Sequence, residues 1–236
     1  MKIGYSLSNN QGMEDVQGVI DLAVRAEELG FESVWASEHV FNVSYVYDRI
    51  GTKPYYEPLT ILTYVAAMTT TIGLGTSVLV LPYHNPIRLA KVASTLDVLS
   101  GGRVMLGVGV GVIEEELEAM GSPYAERGPI SDETLDIMIE LWTKEDPEFD
   151  GKYHKFSNMK FTPKPVQKPH PPIWVAARSP ITFDFAVKND CNILSWPIAR
   201  PFADFTERAT RRGPLHGYRS IDDSLPGVRG RIRFGH

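Results

Sequence analysis

Residues 72–109 read IGLGTSVLVLPYHNPIRLAKVASTLDVLSGGRVMLGVG, and this stretch decides the fold. Ile72–Val80 is a nearly continuous apolar run, short enough for a strand and too uniform for a half-exposed one. Pro86 opens a helix that runs to Leu99, because proline suits a first helical turn. Gly101-Gly102 stop it. Val104–Gly109 is then a second apolar run. A strand, a helix and another fully apolar strand make a βαβ unit with a parallel sheet buried on both faces.

The same rhythm extends outward. Ile3–Leu7 reads as a strand. Val16, Val19, Ile20, Ala23, Ala26 and Leu29 recur at helical spacing, with Gly30 as the stop. Ser33–Ser37 is the next strand and ends in Glu38-His39. A long polar and aromatic loop is expected from 41 to 56, then a helix from Pro58 to about Thr70. Downstream, helices are expected from Glu114 to Met120 and from Ser131 to Trp142, with Ser131 as a weak cap. Six prolines between 146 and 172 rule out a helix there and leave room for a small hairpin and a stiff return. Ile173–Ala177 is a strand, Ile181–Asn189 a helix, and Cys191–Trp196 a sixth strand. An open doubly wound sheet and a closed barrel both satisfy this order, and eight units would close a barrel.

Bulk properties narrow the class. The chain has 236 residues, 43% of them apolar, which allows a sizeable core. A net charge of −5 offers no global field for nucleic acid. A single cysteine, Cys191, forbids an internal disulfide and a Cys₄ or Cys₂His₂ zinc site, and fits a reducing compartment. No signal-peptide core or membrane-length apolar run is legible, so a cytoplasmic protein without a membrane partner is expected. Seven of the fourteen arginines fall after residue 200, and no lysine follows Lys188. The 201–236 segment therefore reads as an atypical tail: a solvated segment, an anion-binding arm or an altered gene end.

Four segments together resemble the bacterial-luciferase-like superfamily of flavin- and F420-dependent oxidoreductases. They are Glu27–Trp35 leading to Ser37-Glu38-His39, Leu74–Leu79 followed by His84-Asn85-Pro86, Thr95–Arg103 running into Leu106–Gly109, and Pro163–Pro169 followed by Pro171–Val175. The resemblance covers residues 1–200. It implies a (β/α)8 TIM-type barrel, which the six units counted leave incomplete at the C-terminus. It also implies an isoalloxazine-type cofactor at the C-terminal ends of the strands. A non-prolyl cis peptide is implied between Ser77 and Val78, in a bulge with Thr76 that backs one face of the ring. Glu126-Arg127-Gly128 and Leu141-Trp142 resemble the branch that uses coenzyme F420. Val110 stands where flavin-phosphate relatives often carry an arginine, which tilts the cofactor toward F420. Ser179 and Thr182 resemble phosphate-holding positions of FMN enzymes and pull the other way, as does the 193–196 segment ending in Trp196.

The residues themselves offer a consistent chemistry. Glu38 and His39 lie just past a strand, where barrel enzymes collect their catalytic groups. An imidazole exchanges protons near neutrality, so His39 is the candidate acid/base, and Glu38 is expected to orient it or to bind the ring edge. Strand-end hydrogen bonding is the plain alternative for His39. Gly107 and Gly109 lack the GxGxxG spacing, and Glu114-Glu115-Glu116 behind them repel phosphate, so a nicotinamide loop is disfavoured. Small residues there let backbone approach a flat ring. Ala176-Ala177-Arg178-Ser179 opens a helix and could hold an anion, or Ser179 could simply cap it. Tyr45, Tyr47, Tyr55 and Tyr56 could wall a substrate pocket or anchor the loop. His84 and Asn85 should shape a turn or border the site. The expected activity is hydride transfer with F420 on a small organic substrate. An FMN-dependent monooxygenase and a non-catalytic barrel are the alternatives. The expected assembly is a homodimer.

Overall fold

The computed structural model describes residues 3–177, 182, 183, 186, 187 and 191–194. The chain divides into two compact units, Lys2–Pro171 and Pro172–His236 with Met1. The expected boundary at residue 200 and the arginine-rich tail lie outside the described residues.

In the larger unit, parallel strands alternate with helices. β1 (Gly4–Ser6) pairs with β2 (Ser33–Ala36), placing Tyr5 beside Val34. β2 pairs with β3 (Gly73–Thr76), and β3 with β5 (Val104–Gly109). The apolar run from residue 72 is therefore two strands. The chain breaks after Thr76 and resumes as β4 (Leu79–Val80), which pairs with the far end of β5 at Val108 and Gly109. The break holds the cis peptide between Ser77 and Val78 that the resemblance implies.

The helices follow their sequence signals. Asp15 caps α1 (Val16–Glu28) by accepting from the Gln17 amide. Glu57 accepts from the Leu59 and Thr60 amides ahead of α3 (Pro58–Met68). Asn85 does the same for α4 (Pro86–Ser100), which stops at Gly101 in the left-handed region. Val19, Ala23, Leu62, Val65, Leu89 and Leu96 are buried along with Val34, Leu74 and Leu106 of the strands. Burial of the valine and leucine side chains contributes about 1.5–3 kcal/mol each.

Two further expectations needed correction. The 41–56 stretch contains a helix, α2 (Ser44–Ile50). Only Val46 and Ile50 are buried on it, packed with Ile113, so one turn of apolar spacing was too little to show the period. The helix expected from Ser131 begins four residues earlier, as α6 (Arg127–Thr143), with Pro129 tolerated in its first turn. Ser131 is buried inside it and donates to the Arg127 carbonyl, 2.7 Å, so it is not a cap. α5 (Glu114–Ala119) stands where expected. The proline-rich excursion holds the expected hairpin, β6 (Phe149–Asp150) with β7 (Lys155–Phe156).

In the smaller unit, β8 (Ile173–Ala176) pairs in parallel with β9 (Asn192–Leu194). Ala177 and Phe183 form its buried cluster, with Val187 and Ile193 against them. Thr182, Phe183, Ala186 and Val187 are helical, within the expected helix.

Candidate active site

β2 ends at Ala36, and the next three residues turn into the C-terminal edge of the sheet. Ser37 is fixed from below by two asparagines that follow β1. Buried Asn9 donates to the Ser37 carbonyl (2.8 Å) and accepts from its amide (3.2 Å). Asn10 donates to the Ser37 hydroxyl oxygen at 2.6 Å, and so does the Tyr55 hydroxyl at 2.9 Å.

Glu38 and His39 then diverge. The buried Glu38 carboxylate contacts His84 Nε2 at 2.8 Å and accepts from the Val80 amide at 2.6 Å. Glu38 thus ties the chain just past the cis bulge to the end of β2. It does not orient His39: its carboxylate oxygens face His84 and Val80. Burial pushes the His84 pKa down, but the bond and charge of Glu38, with Glu57 further off, outweigh it and hold the value above normal. His84 is therefore an ion-pair partner, beyond its expected role in a turn.

His39 has a different carboxylate. Its Nδ1 lies 2.6 Å from Glu116 Oε2. The Glu116 side chain is 0% exposed, and that of His39 is 13% exposed. Glu116 also accepts from the Val40 and Phe41 amides, each at 2.8 Å, and from the Tyr83 hydroxyl at 2.8 Å. Burial alone would raise the Glu116 pKa. The donors, His39 foremost, outweigh it and hold the acid below its ordinary value. An ionised Glu116 needs a proton on Nδ1, which leaves Nε2 of the neutral ring as an acceptor. That nitrogen is 2.6 Å from the Tyr45 hydroxyl at the start of α2. Tyr45 and Tyr55 pack edge-on against the imidazole, at 5.4 and 5.6 Å between ring centres. Burial foremost raises the Tyr55 phenol to about 12, and burial with the charge of Glu116 raises Tyr83 further.

Glu116, Tyr83 and Asn9 were not legible as site residues. Glu116 ends a run of three acids that reads as a solvated helix start, and Glu114 and Glu115 are indeed exposed. Only the fold separates the third from the other two.

The bulge completes this edge. Thr76 is buried and donates its hydroxyl to the Gly107 carbonyl at 2.8 Å, while the Ser77 amide donates to Ala36 at 2.7 Å. Past these anchors Ser77 is exposed, and Val78 and Gly109 are half-buried, so backbone with small side chains remains open. A planar ring suits such a ledge. Trp35 fills the space over Gly75, where an added Cβ would come within 2.3 Å of its ring, so that part of β3 is closed. In the smaller unit Ala176 is half-buried, and Ala177 is buried with its amide donating to the Leu194 carbonyl at 3.0 Å. Thr182 is half-buried, and Arg178, Ser179 and Trp196 lie outside the described residues. Among the described residues no cluster of His, Cys, Asp and Glu could hold a metal ion. None of their helices is long and apolar enough to cross a membrane.

Parallel strands interleaved with helices, with a histidine–carboxylate cluster at the strand C-termini, fit the (β/α)-barrel class of proteins. The profile of the luciferase-like monooxygenase family matches residues 1–214, and the chain belongs to that family. It is 33% identical over 183 residues to the oxygenase component of a flavin-dependent trigonelline monooxygenase from Acinetobacter baylyi, covering 76% of this chain and 48% of the relative. It is 34% identical over 191 residues to an F420-dependent glucose-6-phosphate dehydrogenase from Amycolatopsis mediterranei, covering 79% and 54%. The chain thus spans about half the length of these curated relatives. Among solved structures, a monooxygenase from Streptomyces bottropensis superposes with a TM-score of 0.78 at 25% identity, over 90% of this chain and 67% of that one.

Proposed function

We propose that this protein is an oxidoreductase that binds an isoalloxazine-type cofactor against the Ser77–Val78 bulge and Gly107–Gly109, with His39 as acid/base. The observation that carries the reading is the buried Glu116 carboxylate on His39 Nδ1, which leaves Nε2 as the working nitrogen, at the same end of the paired strands β2 and β3 as the bulge. When bound, the cofactor supplies hydride transfer. The chain supplies the rest. Glu116 keeps the imidazole in one tautomer, Nε2 takes or gives the proton that accompanies hydride movement, and Glu38 holds the chain behind the bulge. In the smaller unit, the resemblance proposes Ala176, Arg178, Ser179, Thr182 and Trp196 as cofactor-binding residues, whereas Ala177, buried and with its amide already bonded, is not among them.

F420 is the favoured cofactor, with a small organic substrate, supported by Val110 in place of a phosphate-binding arginine and by the F420-dependent relative. An FMN-dependent monooxygenase is the second reading, supported by the flavin-dependent relative of similar identity. A cytoplasmic homodimer completes the proposal. The test supplies the full chain with oxidised F420 and a panel of small alcohols, or with reduced FMN and oxygen. Cofactor bleaching that depends on an alcohol supports the first reading, and oxygen uptake coupled to substrate oxidation supports the second. Neither reaction under any condition would favour a non-catalytic protein.

A further inference from the structure

Two phenols pack on the His39 imidazole, but they do different things with their hydroxyls. Tyr55 directs its hydroxyl away, to Ser37 Oγ at 2.9 Å. Tyr45 places its own 2.6 Å from His39 Nε2, the one ring nitrogen that Glu116 leaves free. The side chain of His39 is 13% exposed, whereas Tyr45 is 48% exposed. The imidazole is thus largely enclosed, held at one nitrogen by a carboxylate that three further donors fix in place, and capped at the other by the hydroxyl of an exposed tyrosine.

We propose that Tyr45 is the catalytic residue through which His39 exchanges its proton with substrate, and that Glu116 is the positioning residue that sets the direction of transfer. The proposal rests on the oxidoreductase reading above, and it narrows the substrate to a molecule whose reacting carbon bears a hydroxyl or carbonyl oxygen. In the oxidative direction the substrate O–H bond breaks and its proton moves to Tyr45 Oη. The Tyr45 proton moves at the same time to His39 Nε2, forming an N–H bond, and the phenol ends as it began. The C–H electron pair leaves as hydride to the oxidised isoalloxazine-type cofactor, and the alcohol becomes a carbonyl. Glu116 stabilises the imidazolium that results. A phenol of ordinary acidity is a poor base alone. A phenol that passes one proton on while receiving another carries no charge, so Tyr45 needs no lowered pKa.

The experiment uses the full chain labelled with ¹⁵N-histidine, and His39→Gln assigns the resonance. The expected wild-type spectrum shows neutral His39 protonated at Nδ1, with Nε2 shifted by an accepted hydrogen bond. Tyr45→Phe should keep the tautomer, move the Nε2 resonance to the unbonded position and lower alcohol turnover by about tenfold to a hundredfold. Affinity for the cofactor should remain within about twofold, because the proposed ring contacts are the Ser77–Val78 bulge and Gly107–Gly109. Glu116→Gln should bring in the Nε2-protonated tautomer, an effect that loss of packing alone would not produce. Tyr64→Phe, on the outer face of α3, is the control and should change neither signal nor rate. An Nε2 resonance indifferent to Tyr45→Phe, or full turnover in that variant while His39→Gln is inactive, overturns the relay and leaves the oxidoreductase reading standing. Undiminished turnover in His39→Gln, or no turnover by wild type across the panel, overturns that reading and the relay with it.

Discussion

The two ends of the sheet use the same kind of interaction for opposite purposes. At the N-terminal ends of the strands, Glu27 accepts from the amides of Thr70, Thr71 and Ile72, the nearest at 2.6 Å, and pins the turn that feeds β3. Arg103, just before β5, donates to the carbonyls of Ala66, Thr69, Ile72 and Ser100 and to the Thr69 hydroxyl. The bonds to Ala66 and Thr69 satisfy carbonyls at the C-terminal end of α3, which have no partner within the helix. Nearly all partners are backbone, so this end locks chain to chain. At the C-terminal ends, Glu116 also grips two amides, but its remaining bonds hold an imidazole and a phenol. A carboxylate that holds backbone amides and one threonine hydroxyl, as Glu27 does, stabilises the fold. One that also holds a titratable ring aims that ring. The difference is the separation of stability from chemistry that barrels permit.

Substitutions that cross this division break or sharpen it. The largest effect belongs to His39→Gln, which should lower turnover by about a hundredfold or more at little cost in unfolding free energy, because the side-chain amide can still donate to buried Glu116. Steady-state kinetics beside urea melts checks both halves. Arg103→Ala should do the reverse. It strands three carbonyls from Ala66 to Ile72 and should cost about 3 kcal/mol, read as a lower urea midpoint, with turnover per folded molecule intact. A rate that falls with the midpoint would mean the two ends are not separate.

Glu27→Ala should cost less, about 1–2 kcal/mol at neutral pH. Burial would raise the Glu27 pKa, but the donors of residues 70–72 outweigh it and bring it to about 2, from an ordinary 4.5. A depressed acid stabilises above its ordinary pKa, and that stability fades as pH falls through the lowered one. The gap between wild type and variant should therefore close between pH 4.5 and about 2. A gap constant with pH would show that packing, not charge, carries the effect.

The smallest effect concerns His84. Its pKa is raised, so its contribution is complete below its ordinary value and is lost as pH climbs through the raised one. Stability should decline by about 1 kcal/mol as pH rises past about 6.5, and His84→Gln should flatten that slope. A slope that survives the substitution would move its origin elsewhere.

The fold was more legible than the site. The strand at Val104–Gly109 and the helix from Pro86 stand where their apolar runs, proline and glycine stops place them, because these signals are local. Helix α2 was hidden, since its two buried residues gain their meaning from Ile113, far along the chain. The end of β2 marked His39 as a candidate, and position alone sufficed for that. Its true partner was out of reach. Adjacent Glu38 was the natural choice, yet successive residues at a strand end point to opposite sides, and Glu38 turns to His84 while Glu116 arrives from α5, 77 positions away. Pairings of that kind depend on the register of the sheet, which periodicity does not encode.

The most direct test of the whole account is a fluorescence titration of the full chain with F420 and with FMN. The account predicts saturable binding of at least one, F420 the tighter, that survives His39→Ala within about twofold because the ledge and not the imidazole holds the ring. Saturation with neither cofactor, or binding abolished by His39→Ala in a protein that still folds, would contradict it.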